Sequence, residues 1–195
     1  MYLLKEVRSA PWLVGLLVTG QVLGIALAAW LFRRALPTRF THYLALSGLL
    51  GVTAGGVLLL FLAPGNATAL VPAAAVLLGY GAGAGVAPGL FMAGLSVPSS
   101  KLGPTFALVE LLRSEAAFLL SPLLLFVAQA AVSLTTGVRL AVAVTTGLCA
   151  FGALGLLVIY LLGGARPHPP DLEGWLAGDA SAYHSPPLAD AVRDT

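Results

Sequence analysis

Apolar residues dominate this chain in five long blocks, each closed by a short polar or turn-forming break. A membrane-crossing helix needs about 20 consecutive, mostly apolar residues, and each block reaches that length. The first extends from about Trp12 to Phe32 and ends at Arg33-Arg34. The second covers about Tyr43 to Leu62 and runs into Pro64-Gly65-Asn66. A third runs from about Val71 to Leu95, ahead of Pro98, Ser99, Ser100 and Lys101. The fourth lies between about Pro104 and Ala130, and Ser133 to Gly137 separate it from the fifth, about Val138 to Leu162. After Gly163-Gly164 the pattern changes to a polar, proline-rich tail. The expected architecture is all-α: a polytopic helical membrane protein of about five transmembrane helices, with a membrane domain over 1–163 and a cytoplasmic tail over 164–195. Short breaks make successive spans antiparallel.

Composition sharpens this picture. Of 195 residues, 58% are hydrophobic and 9% charged, against about 25% charged in soluble domains. Mean hydropathy is +0.95. Between Leu44 and Ser100 there is no Asp, Glu, Lys or Arg, so lipid rather than water is the main solvent of that stretch. One cysteine, Cys149, excludes an internal disulfide and a cysteine-rich metal site. His42, His168 and His184 fall at span ends or in the tail, so neither a metal, a cofactor nor a histidine relay is expected, and no enzymatic constellation stands out. A net charge of +2 is too small to point to nucleic acid. The opening MYLLKEVRSAPW has no long apolar core ahead of a small-residue cleavage site, so a cleaved signal peptide is not expected. Arg33, Arg34, Arg39, Lys101, Arg166 and Arg193 would share one side of the membrane, with Lys5, Arg8 and Arg139 on the other. The positive-inside rule then places the N-terminus outside and the C-terminus in the cytoplasm, in an inner (plasma) membrane.

The third block contains GYGAGAGVAPG, residues 79–89. A dinucleotide fingerprint needs G-x-G-x-x-G between a strand and a helix. Gly79, Gly81 and Ala84 meet only the looser form ending in alanine, with no preceding strand. At helical spacing, Gly81, Gly85, Gly89 and Ala93 instead form one ridge, with Gly79 and Gly83 on an adjacent stripe. Gly20 with Gly24, and Gly51 with Gly55, repeat the small-xxx-small spacing in the first two spans. Such residues let backbones approach closely in lipid, where packing drives association. Two readings stand: a packing groove alone, or a closely packed span that also bends at Pro88 during a rocking motion.

Only three ionisable residues lie well inside a span: Glu110, Arg113 and Glu115, all in the fourth. Each costs about 2.5–3.5 kcal/mol on insertion scales. At 1.5 Å rise they lie roughly 9–17 Å in from Pro104. Glu110 and Arg113 are three apart and can pair, whereas Glu115 points about 140° away from Glu110. Gln21, in the middle of the first span, could bond a substrate or a neighbouring helix. Asn66-Ala67-Thr68 matches a glycosylation sequon, a short pattern that arises readily by chance.

The order of these features resembles the C-terminal half of a major facilitator superfamily (MFS) transporter, more narrowly the fourteen-span EmrB/QacA-type drug:proton antiporters. MYLLKEVRSAPWLVGL, with Pro11 and Gly15, is similar to the passage from an outside loop into a span. LFRRALPTRF stands where that family has a basic inside loop, and SGLLGVTAGG where the next span opens rich in small residues. GYGAGAG stands for the G-x-G-x-G span, LSVPSSKLG for the loop after it, and Arg113 in ALVELLRSEAAF for the arginine of the next span. The resemblance covers roughly residues 1–163. Two departures are visible. The basic loop lacks the acidic residue and has Leu36 in place of glycine, and Ser114-Glu115-Ala116-Ala117 replaces a glycine-rich step after the arginine.

The resemblance implies that spans one, three and four line a central cavity. It also implies that Arg113, with Glu110 as partner and Glu115 as a separate protonatable group, takes part in proton coupling. The competing reading is that the pair only anchors helices. Measured against two six-span halves, the chain corresponds to an incomplete C-terminal half. It would need the missing N-terminal half to move a small-molecule substrate against protons, and would not transport alone. The alternative is a small integral-membrane interaction or assembly subunit that uses its small-xxx-small faces to bind another membrane protein.

In the tail, PPDLEGWLAG predicts a short helix with Asp171 as N-cap and Gly178 past its end. Leu172, Trp175 and Leu176 would share a face resting on the membrane interface. SPPLADAV repeats the scheme with Ser185 as cap.

Overall fold

A computed structural model describes residues 12–38, 40–63, 65–131, 133–162 and 171–177. These residues form five long helices: α1 (Trp12–Ala35), α2 (Thr41–Leu60), α3 (Ala67–Leu95), α4 (Leu102–Gln129) and α5 (Leu134–Leu162). A 3-10 turn, Ser99–Lys101, precedes α4, and a short α6 (Leu172–Leu176) lies in the tail. No strand occurs among the described residues. All five long helices are long and apolar enough to cross a membrane. The chain is therefore an all-α, polytopic integral membrane protein, and its helices follow from the solvent. In hydrocarbon, a backbone that closes its own hydrogen bonds is the only open-chain solution.

Hydroxyl and amide side chains finish the helix ends. At the end of α1, Thr38 and Thr41 both donate to the Ala35 carbonyl, at 2.7 and 2.6 Å. Thr41 is buried there. Between α2 and α3, Asn66 Oδ1 accepts from the Ala63 amide at 2.7 Å while its Nδ2 donates to the Phe61 carbonyl at 3.0 Å. Arg139, at the start of α5, donates to the Leu62 carbonyl at 3.0 Å. These contacts satisfy carbonyls and amides that a helix end leaves without intrahelical partners. Within the spans, Thr53, Thr145 and Thr146 donate back to the carbonyl four residues earlier, which removes their hydroxyls from the list of polar groups needing water.

The helices do not lie in sequence order. α3 is packed between α1 and α2, α5 lies against α2, and α4 lies against α5 with a lighter contact to the end of α3. α1 and α3 run parallel: Gly20 faces Ala75, Gly24 faces Gly79, and Phe32 meets Phe91 with ring centroids 5.2 Å apart. α2 and α3 are antiparallel, with Gly55 beside Leu78 and Gly48 beside Ala84. α2 and α5 are antiparallel too. Gly56 abuts Thr146 near one end, and the Tyr43 and Tyr160 rings are 5.6 Å apart at the other.

The glycine run explains why α3 can be central. Residues two apart on a helix are about 200° apart, so alternate glycines serve two opposite sides. A Cβ on Gly79 would strike the backbone of Gln21, and one on Gly83 would come 2.8 Å from Ala28 Cβ; both are in α1. A Cβ on Gly81 would strike Val52 and lie 2.7 Å from the Gly48 carbonyl, both in α2. The stripe expected beside the ridge is thus on its far side. The ridge is also shorter than expected. Side chains added at Gly85 and Gly89 would meet nothing within 4 Å, because their Cα faces turn away from α2 although Gly48 still approaches the Gly85 amide. Pro72 and Pro88 both lie inside the uninterrupted α3, and Pro88 is fully buried. The second tail segment, SPPLADAV, falls outside the described residues, as do Lys5, Arg8, Pro11, Arg39, Arg166, His168, His184 and Arg193.

Candidate functional site: the charged face of the fourth helix

α4 differs from the other spans in having no buried residue. Phe118, Leu119 and Phe126 are among its widely exposed side chains. On this open helix sit the three intramembrane charges. The Arg113 guanidinium donates twice to one oxygen of Glu110, from Nε at 3.0 Å and from a terminal nitrogen at 2.7 Å. The two side chains remain 58% and 44% exposed. The i,i+3 spacing that the sequence suggested is therefore realised as a contact, and it requires no neighbouring helix.

Glu115 is also exposed, and no described residue forms an ion pair with it. By helix geometry Glu110 lies about 12 Å, and Glu115 about 20 Å, from the start of a helix about 42 Å long. Glu110, Arg113 and Ala117 share one face, since seven residues nearly complete two turns. Neutralised within itself, the pair lowers the cost of its own burial. Glu115 retains the full cost of an ionised carboxylate unless it is protonated or reaches a hydrated cleft. The arrangement offers one locked carboxylate and one free carboxylate at different depths of a single span.

Glu110 has a second setting. It borders an apolar cavity of about 590 Å³ between the ends of α3 and α4, together with Phe91, Leu95, Phe106, Leu172 and Trp175. Glu110 is the single ionisable residue on that wall among the described residues. The tail helix forms part of the wall as well. Asp171 caps α6 by accepting from the Gly174 amide at 3.1 Å, as its position before the helix predicts. Leu172 and Trp175 turn towards the cavity, and Trp175 Nε1 donates to the Val97 carbonyl at 3.0 Å. Leu176 is 76% exposed. The expected three-residue face is thus divided: two residues pack on the helix ends, and the third points outward.

Of the other sequence candidates, Gln21 is exposed and its backbone, rather than its amide, is the part that meets α3 at Gly79. It lies on α1, whereas the ion pair lies on α4, and these two helices share at most a slight contact. Gly20 and Gly24 are at their expected work of close approach to α3, with Gly24 facing the Val76 carbonyl and the Tyr80 amide. Tyr80 packs on Gly51 and shares a 2.6 Å hydrogen bond with Ser47 of α2. A tyrosine in mid-span needs such a partner, but nothing in the sequence identified Ser47. Among the described residues no cluster of His, Cys, Asp and Glu could hold a metal ion. No protein-family model, curated protein or solved structure matches the chain.

Proposed function

We propose that this chain is the membrane-embedded C-terminal part of a proton-coupled efflux transporter of the major facilitator type. In this reading it works with a second transmembrane half, exporting drugs or other small molecules. The supporting observation is the open, charge-bearing face of α4: three ionisable groups stand in mid-span on a helix with no buried residue. Lipid is a poor neighbour for such a face, and a cleft between two protein halves is a good one. The Glu110–Arg113 pair would exchange partners or protons as the cleft opens to alternate sides, with Glu115 as the second carboxylate. Alternating exposure of a site between two halves is the general mode of such transporters.

The resemblance assigns α1, α3 and α4 to the cavity. α1 does show an exposed polar residue, Gln21, in mid-span. The ends carrying Arg33, Arg34 and Lys101 lie on the same side as α6, and that side would face the cytoplasm of a cell bounded by its inner membrane. The assembly-subunit reading relied on small-xxx-small faces reaching a partner. Gly20, Gly24, Gly51, Gly55 and Gly81 are instead engaged within the chain, which favours the transporter reading.

The test is proton-driven efflux by the chain expressed together with a second transmembrane half that completes it. Arg113→Ala is expected to reduce efflux to background while leaving membrane insertion intact. Undiminished efflux in that variant would remove Arg113, and the coupling scheme built on it, from consideration.

A further inference from the structure

The cavity beside Glu110 has a wall that is not part of the membrane bundle. α6 contributes Leu172 and Trp175, and it is fastened by the bond from Trp175 Nε1 to the Val97 carbonyl. That carbonyl belongs to the turn just after α3, so it has no helical amide to accept from. The tail helix therefore supplies both an apolar wall and a donor to the Val97 carbonyl. With Leu95 buried on one wall and Glu110 on another, the space, partly open with α6 seated, leads from the end of the bundle to the first intramembrane carboxylate.

We propose that α6 is a plug. Seated by Trp175, it closes the cavity from the aqueous side, and its release opens a route to Glu110. This inference rests on the α6 contacts and stands apart from the transporter reading; a chain with any membrane role could use it. A five-residue helix held by a tryptophan hydrogen bond and two apolar side chains suits a reversible closure. Its exposed Leu176 turns away from the bundle, and the 3.0 Å bond is its one hydrogen bond to the membrane helices among the described residues.

Cysteine labelling tests the closure. In a Cys149→Ser background, Leu95→Cys reports on the cavity, and Val71→Cys, buried near the opposite end of α3, reports on general unfolding. The readout is the ratio of their rates with a water-soluble maleimide, for the full chain in lipid nanodiscs. Trp175→Ala should raise the Leu95→Cys to Val71→Cys ratio about tenfold, as expected when local opening controls access. Trp175→Phe, which keeps the ring but not the donor, should give a smaller rise. An unchanged ratio in both variants, including a case in which the two rates climb together, would overturn the proposal.

Discussion

α3 and α4 are neighbours in sequence, and both are about 28 residues long, yet they solve opposite problems. α3 has glycine on two opposite sides, holds Pro88 and Ala84 fully buried, and accepts one helix on each flank at backbone contact. α4 has leucine and phenylalanine around most of its circumference, three charges in mid-span, and no buried residue. In lipid, small residues mark where protein meets protein within the chain. Charges mark where something other than lipid must be met. One helix is thus specified by what it lacks, and the other by what it carries. The contrast separates a helix whose contacts are met within the chain from one whose face is open among the described residues.

The largest effect should come from filling α3's contacts. Gly24→Leu places a Cβ against the Val76 carbonyl and 2.5 Å from the Tyr80 amide. Backbone atoms cannot yield there, so a loss of about 3 kcal/mol or more is expected. Gly89→Leu, on the small-residue ridge of α3, opens into empty space and should stay within about 0.5 kcal/mol of the native chain. Unfolding by denaturing detergent, followed by circular dichroism, measures both. Similar losses at the two positions would break the distinction between engaged and open glycines.

A smaller effect is expected at the side-chain hydrogen bond that, among the described residues, ties α3 to α2. Tyr80→Phe keeps the ring packed on Gly51 but leaves Ser47 without its 2.6 Å partner. Because Ser47 also donates to the Leu44 carbonyl at 2.7 Å, its hydroxyl is not stranded. The same detergent titration should show a loss of about 0.5–1 kcal/mol. A loss as large as that of Gly24→Leu would mean that polar bonding, rather than close packing, holds the central helix.

Much of this was legible from residue order alone. Span positions followed from apolar length, since membrane helices need little more than that. The Glu110–Arg113 contact followed from i,i+3 spacing within one helix, and Asp171 was recognisable as a cap from its place before LEGWL. Less legible was anything that depends on which helix lies beside which. Periodicity fixes angles around one axis but does not select a neighbour. Gly79, Gly81 and Gly83 therefore read as adjacent stripes of one face, when they serve α1 and α2 on opposite sides. Gly85 and Gly89 continued the sequence pattern after the contact had ended. The seat of Trp175 on Val97 joins residues 78 positions apart, and no local pattern encodes it.

The central claim is that the Glu110–Arg113 face of α4 does not look into lipid in the working assembly. A spin label at Ala117→Cys, on that face and exposed in the isolated chain, tests it most directly in native membranes. The reference is a label at Phe151→Cys, on α5 and 78% exposed. Oxygen concentrates in hydrocarbon, and a nickel chelate stays in water. The account predicts that oxygen relaxes the Phe151→Cys label strongly and the Ala117→Cys label weakly, whether protein or a hydrated cleft covers the latter. Equal, strong relaxation by oxygen at both sites would place the charged face in lipid and contradict the account.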